Sequence, residues 1–157
     1  VNAQDVATAV EQYHAGIEAE LHLLRQLDVI AAQQREVSAA RDFESFQGPS
    51  DERDRLTRDL VTIEEGLRKV RTLLADHREQ AERTPGYERA VALHREASDL
   101  VARILTTDKA ALHALADAEV ARRAALSGIE QGEATLAAYR KVLAPPSSGS
   151  SLFDTRG

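Results

Sequence analysis

Hydrophobic residues return along this chain at alternating steps of three and four, the spacing that lines one face of an α-helix. The pattern is cleanest between Ser50 and Arg83, where Leu56, Leu60, Ile63, Leu67, Val70 and Leu74 share one narrow stripe. Charged residues take the remaining faces: Asp51, Arg55, Arg58, Asp59, Glu64, Glu65, Arg68, Lys69, Arg71 and Glu79. A stripe this narrow is a seam for another helix. The pairs Asp51–Arg55, Asp54–Arg58, Glu64–Arg68 and Glu65–Lys69 set an acid four residues before a base. Such pairs contribute about 0.2–0.5 kcal/mol each on a solvated face. Pro49 is expected to interrupt what precedes this helix, and Ser50 to cap it.

An earlier helix is expected over about 3–41, capped by Asn2 or Asp5, with Val6, Val10, Tyr13, Ile17, Leu21, Leu24, Leu27 and Ile30 as its stripe. Past Ile30 the stripe thins to Ala31, Gln34, Val37 and Ala40, so this end is expected to pack weakly. Residues 41–50 form the connection, with Gly48-Pro49 as the breaker. Phe43 and Phe46 are three apart, and one helical turn points both into the end of the bundle; a docking patch is the other reading. The second helix, about 51–83, stops before Pro85-Gly86. A third is expected over 87–143, carrying Tyr87, Val91, Ala97, Leu100, Val101, Ile104, Leu105, Leu112 and Leu115. Thr106-Thr107-Asp108 is its one cap-like interruption, either a break or absorbed in a continuous helix, and continuity is the expectation. The Pro/Ser/Gly-rich residues 145–157 are expected to form a disordered tail.

These elements predict an all-α fold, one antiparallel up-down-up bundle of three long helices over residues 1–144. At 1.5 Å per residue the helices measure roughly 57, 50 and 85 Å. The third therefore outruns its companions by about twenty residues at the same rise. Those residues carry a stripe of their own: Ala118, Ala121, Ala125, Ile129, Gly132, Leu136, Tyr139 and Leu143, with Leu126 and Val142 at its margins. Gly128 and Gly132 each cost about 0.8–1.0 kcal/mol relative to Ala inside a helix, and glycine on a contact face admits a close backbone or a bend. Glu130, Gln131 and Glu133 exclude a membrane Gly-xxx-Gly motif. Three occupants remain open for this stripe: the chain's own core, a partner helix lying in a groove, or a second copy in a homodimer. The partner-binding candidates are Leu126, Ile129, Gly132, Leu136, Tyr139, Val142 and Leu143. Leu152 and Phe153 in the tail are a candidate docking motif.

Composition narrows the chemistry. The 157 residues include 27 alanines and no Cys, Met or Trp. Alanine favours helix, and the absence of cysteine removes disulfides, Cys-based zinc sites and thiol catalysis. The reducing cytoplasm is the expected compartment. Net charge is −6, and no basic patch stands free of acids, so nucleic-acid binding is not expected. No apolar run approaches the ~18–20 residues of a membrane span, and no signal-peptide pattern opens the sequence as given. Arg outnumbers Lys by 17 to 3.

Catalytic patterns are missing. His14, His22, His77, His94 and His113 include no pair at the i,i+3 or i,i+4 spacing that shares a metal. Glu11-x-x-His14 is the element that di-iron bundles use twice, but here it occurs once and beside the apolar stripe, so it reads as surface. Neither a phosphate loop, His-Glu-x-x-His nor Gly-x-Ser-x-Gly is present. The expectation is a protein that is not an enzyme and carries no cofactor or metal.

Residues 21–68 and 108–139 together resemble the FlgN-like family of flagellar type III export chaperones. The resemblance rests on Ala40-Arg41-Asp42-Phe43-Glu44-Ser45-Phe46, followed by Glu52-Arg53, Leu56 and Leu60. Gly132-Glu133-Ala134-Thr135-Leu136-Ala137-Ala138-Tyr139 is similar to the family's closing element, and Phe153-Asp154-x-Arg156 to its tail. Gln47-Gly48-Pro49-Ser50 departs from it, standing where the family continues with a hydrophobic residue and helix. Arginines replace most of the family's second-helix lysines. The resemblance implies a cytoplasmic bundle that binds late flagellar substrates, the hook-associated proteins of the FlgK/FlgL type, and delivers them to the export gate. It implies that the C-terminal amphipathic helix is the binding segment, here Leu126, Ile129, Leu136, Tyr139 and Val142. The alternative is a self-associating structural coiled coil or helical adaptor.

Overall fold

The computed structural model describes residues 1–143, with side chains through Lys141. Its elements are α1 (Ala3–Ala39), a one-turn 3-10 helix (Phe43–Phe46), α2 (Gln47–Asp76), α3 (Arg78–Glu82) and α4 (Tyr87–Leu143). The fold is all-α, with no strand among the described residues. The chain divides into two units, Val1–Ala116 and Asp117–Gly157. The expected tail, 145–157, lies outside the described residues.

Both candidate caps of α1 are used, reciprocally. Asn2 Oδ1 accepts from the Asp5 amide at 2.9 Å, and Asp5 Oδ2 accepts from the Asn2 amide at 2.9 Å, a capping box that serves two donors of an open helix end. All eight stripe residues from Val6 to Ile30 are buried. At the far end Ala31, Gln34 and Ser38 are buried, while Val37 is half-buried and Ala40 exposed. Gln34 Nε2 donates to Ser50 Oγ at 3.1 Å, and Arg53 Nη1 donates to Gln34 Oε1 at 2.9 Å. Arg53 also makes a two-pronged pair with Asp108 on α4, its Nη1 donating to Oδ1 at 2.7 Å. Asp108 is therefore a cross-helix partner rather than a cap.

Gly48-Pro49 does not break the chain. Helix α2 begins at Gln47 and takes Pro49 into its first turn, where an amide proton has no intrahelical acceptor and proline removes nothing. Ser50 is consequently not the N-cap; its hydroxyl donates back to the Phe46 carbonyl at 2.9 Å. Phe46 is half-buried and Phe43 exposed, so only one of the two anchors reaches inward. On α2, Leu56, Leu67 and Leu74 are buried, and Leu60, Ile63 and Val70 half-buried. None of the four expected acid-to-base pairs closes among the described residues: Arg55 turns to Glu52 and Asp59, and Glu64 to Arg71. Instead of running to residue 83, the helix stops at His77 (φ −117°, ψ 39°). The chain re-aims into α3, where Ala81 is fully buried, and Gly86 makes the next turn at φ +89°, which glycine adopts without a Cβ clash. There are thus four α-helices among the described residues where three were expected.

Helix α4 runs uninterrupted through Thr106-Thr107-Asp108. Both threonine hydroxyls donate to carbonyls four residues back, Ala102 and Arg103, at 3.0 Å, which absorbs their capping tendency. Its buried face matches the expected one in part: Ala97, Leu100 and Ile104 are buried as expected, and Tyr87, Val91 and Leu115 half-buried. Ala90, Leu93, Ala97, Leu100, Ile104 and Ala111 are buried, while Val101, Leu105 and Leu112 are exposed. These residues follow a 3.5-residue repeat in which positions 90, 97 and 111 are alanine and 104 is isoleucine, and small side chains let a neighbouring helix come close; Val101, Leu105 and Leu112 lie about 100° round the helix. Arg25–Glu96 (2.8 Å) and Asp28–Arg103 (2.7 Å) tie α1 to α4. Between α1 and α2, Leu67 fills the space over Gly16, where a Cβ would lie 2.6 Å from both leucine methyl carbons.

Candidate functional site

The sequence places the candidate surface on the last part of α4, and the structure brings its residues onto one helical face. Ile129, Gly132, Leu136 and Tyr139 fall within an arc of roughly 80° at 3.6 residues per turn, with Leu126 at the margin. Every side chain from Arg122 to Lys141 is exposed. The large apolar ones are open to a degree unusual for a stripe: Leu126 44 %, Ile129 59 %, Leu136 67 % and Tyr139 60 %. A Cβ added at Gly128 or Gly132 would meet nothing within 4 Å, so no contact among the described residues requires glycine there. Val142 and Leu143 belong to the same helix, and their side chains, like Leu152 and Phe153, lie outside the described residues. Just before the stripe, Glu119 is held down at about 2 by hydrogen bonds from Arg122 and then Arg123. The surface is therefore an apolar ridge on a helix with charged flanks, suited to packing.

A second chemistry-bearing place, in the unit Val1–Ala116, escaped the sequence reading. Glu20 sits inside the α1 stripe, three residues after Ile17, and is only 4 % exposed. Arg71 from α2 reaches it at 3.8 Å, pairs with Glu64 at 2.6 Å and lies 5.2 Å over the Tyr13 ring. His94 of α4 stands beside Tyr13 with ring centroids 6.5 Å apart. Burial, with a hydrogen bond to Glu64 and the Glu64 charge, pushes the Glu20 carboxyl up to about 8, against the pull of Arg71. Glu64 is held below the usual carboxylate range by the hydrogen bond with Glu20 and by Arg71. Burial also raises the Tyr13 phenol. The signal for this cluster was in the sequence: an acid at a stripe position, matched by an arginine next to the second seam. His14 lies 3.9 Å from Glu18 on the surface side of α1. Among the described residues no group of three or more His, Asp or Glu side chains is arranged to hold a metal ion, and no helix is long and apolar enough to cross a membrane.

No family model, curated protein or solved structure matches the chain.

Proposed function

We propose that the chain is a FlgN-like export chaperone, acting by binding rather than catalysis. In this reading three long helices in an up-down-up bundle carry a C-terminal helix that receives the terminal helix of a hook-associated protein in the cytoplasm. The bundle arrangement is supported by the order of contacts in the unit Val1–Ala116. Gly16 meets Leu67 while Gln34 meets Ser50 and Arg53, so α1 and α2 run in opposite senses; Arg25–Glu96 and Asp28–Arg103 run in the same sense. The observation that carries the binding reading is the apolar face of Leu126, Ile129, Leu136 and Tyr139, left exposed on a helix that otherwise obeys core spacing. A partner segment that orders on binding gives up conformational entropy, which offsets part of the burial and keeps affinity moderate and release easy.

Fluorescence anisotropy of a labelled terminal helix from a hook-associated protein tests it. The intact chain is expected to bind, and Leu136→Asp with Tyr139→Ala to abolish binding while helicity is retained. Equal binding by the double variant moves the site elsewhere. A dimer that survives dilution and is lost in the same variant would favour the self-associating adaptor.

A further inference from the structure

Helix α4 carries a second open apolar stripe, in the unit Val1–Ala116: Val101, Leu105 and Leu112 are exposed, and Leu115 is half-buried. A single exposed leucine needs no explanation, but these residues share one line with the late stripe. Counted from Val101 in alternating steps of four and three, the line passes Leu105, Leu112 and Leu115 and reaches Leu126, Ile129 and Leu136. That is the spacing of a coiled-coil seam. Four charged residues interrupt it up to Leu136: Asp108, Glu119, Arg122 and Glu133.

The interruptions select what covers the line. In a parallel, in-register pair of copies each would face itself, acid on acid and Arg122 on Arg122, which is repulsive. In one antiparallel register they are complementary: Glu119 faces Arg122 of a second copy, and two-fold symmetry repeats the pair. The same register sets Leu115 against Leu126 of the second copy, Leu112 against Ile129 and Leu105 against Leu136. Sliding by seven residues either way puts Leu115 on an acid and sets both Glu119 and Arg122 against aliphatic residues. Beside the seam, exposed Lys109 falls next to exposed Glu130 of the second copy. The layer of Asp108 with Glu133 is like-charged, but Asp108 already accepts the two-pronged bond from Arg53.

We infer that a second copy of this chain covers both stripes: α4 pairs antiparallel with α4 of another chain, each late stripe lying on the other copy's Val101–Leu115 stripe. Charged layers in such a seam fix the register at a cost in stability, so the dimer is reversible and dilutes to monomer. The pairing stands without the chaperone reading. Its consequence rests on that reading: the late stripe stays covered by the second copy until a substrate helix displaces it.

Sedimentation equilibrium of the full chain over a concentration series tests the pairing, and a monomer–dimer equilibrium is expected. Glu119→Arg alone and Arg122→Glu alone each set like charges in the central layers. Each is expected to weaken the dimer by roughly tenfold or more with helicity unchanged, and an equimolar mixture of the two to restore it as a heterodimer. The chain has no cysteine, so Leu112→Cys and Ile129→Cys report direction: on oxidation they are expected to crosslink to each other and neither to itself. A full chain that stays monomeric at millimolar concentration, single charge variants that dimerise like the parent, or Leu112→Cys crosslinked to itself would each overturn the inference. Adding the labelled terminal helix of a hook-associated protein separates the two readings. A dimer that forms but takes up no helix keeps the pairing and counts against the chaperone; helix binding by a chain that never dimerises overturns the pairing alone.

Discussion

The α1 stripe and the last stripe of α4 are written in the same spacing, yet they end in opposite surroundings. From Val6 to Ile30 every stripe residue of α1 is 8 % exposed or less, whereas Leu126, Ile129, Leu136 and Tyr139 are 44 % exposed or more. The difference is in what stands opposite. Helix α1 faces the leucines of α2, one of which seats over its own Gly16, and a seam on α4 that includes Ala90, Ala97 and Ala111. Every side chain of the late stripe from Arg122 to Lys141 is exposed. Periodicity identifies a face that favours cover, and complementarity decides whether the cover comes from the same chain.

Truncation at the two stripes sharpens this contrast most. Ile17→Ala removes a fully buried side chain and is expected to cost about 2–5 kcal/mol. Leu136→Ala is expected to stay within about 0.5 kcal/mol, as exposed substitutions do. Thermal unfolding of the two variants measures both. A large loss at Leu136 would erase the distinction and turn the late stripe into core.

The Glu20 interruption gives the next effect. Its carboxyl titrates near 8 in the folded chain against an ordinary value of 4.5, so the folded state binds the extra proton between those limits. Its contribution is complete below about 4.5 and declines as pH rises through 8. Melting temperature is therefore expected to fall from pH 5 to pH 8, and Glu20→Gln to flatten that slope. Glu64 has the opposite sign, but its lowered value puts its loss at more acidic pH. A slope unchanged in Glu20→Gln would show that the carboxyl ionises freely.

Smaller still are the effects of two glycines, Gly16 in the α1–α2 seam and Gly66 on the exposed side of α2. Gly16→Ala forces a methyl against Leu67, an overpacking cost of about 1–3 kcal/mol that exceeds alanine's helical advantage of about 0.8–1.0 kcal/mol. In a Leu67→Ala background the sign is expected to reverse. Gly66→Ala meets nothing within 4 Å and is expected to stabilise by about 0.8–1.0 kcal/mol. Denaturant midpoints of the set decide whether Gly16 is a packing requirement.

Much of the fold was legible because α1 carries large aliphatics at every expected step, and local spacing alone marks such a helix. The start of α2 was misread because proline in a first turn and proline as a breaker look alike in sequence; only the free first-turn amides tell them apart. On α4 the hydrophobicity of Val101, Leu105 and Leu112 pointed to the wrong face, since the seam is chosen by fit and Ala90, Ala97 and Ala111 fit better. The late stripe was legible as a face. Of the Glu20–Arg71–Glu64 cluster only the acid interrupting the α1 stripe was legible, because Glu64 and Arg71 lie 44 and 51 positions beyond Glu20 and meet it only after α1 and α2 pack.

The notch at Gly16 has a mechanical consequence. Two smooth helices can slide along each other, trading one set of contacts for a similar one a turn away. With Leu67 seated like a pin in a slot, a shift of α2 by one turn, roughly 5.4 Å, would present Ile63 or Arg71 to that slot instead. One is branched at Cβ, and the other carries a charge already bound to Glu64. Load applied along the axis of α2 is thus borne by shape at a single residue, and slippage requires the two helices to separate before they can translate.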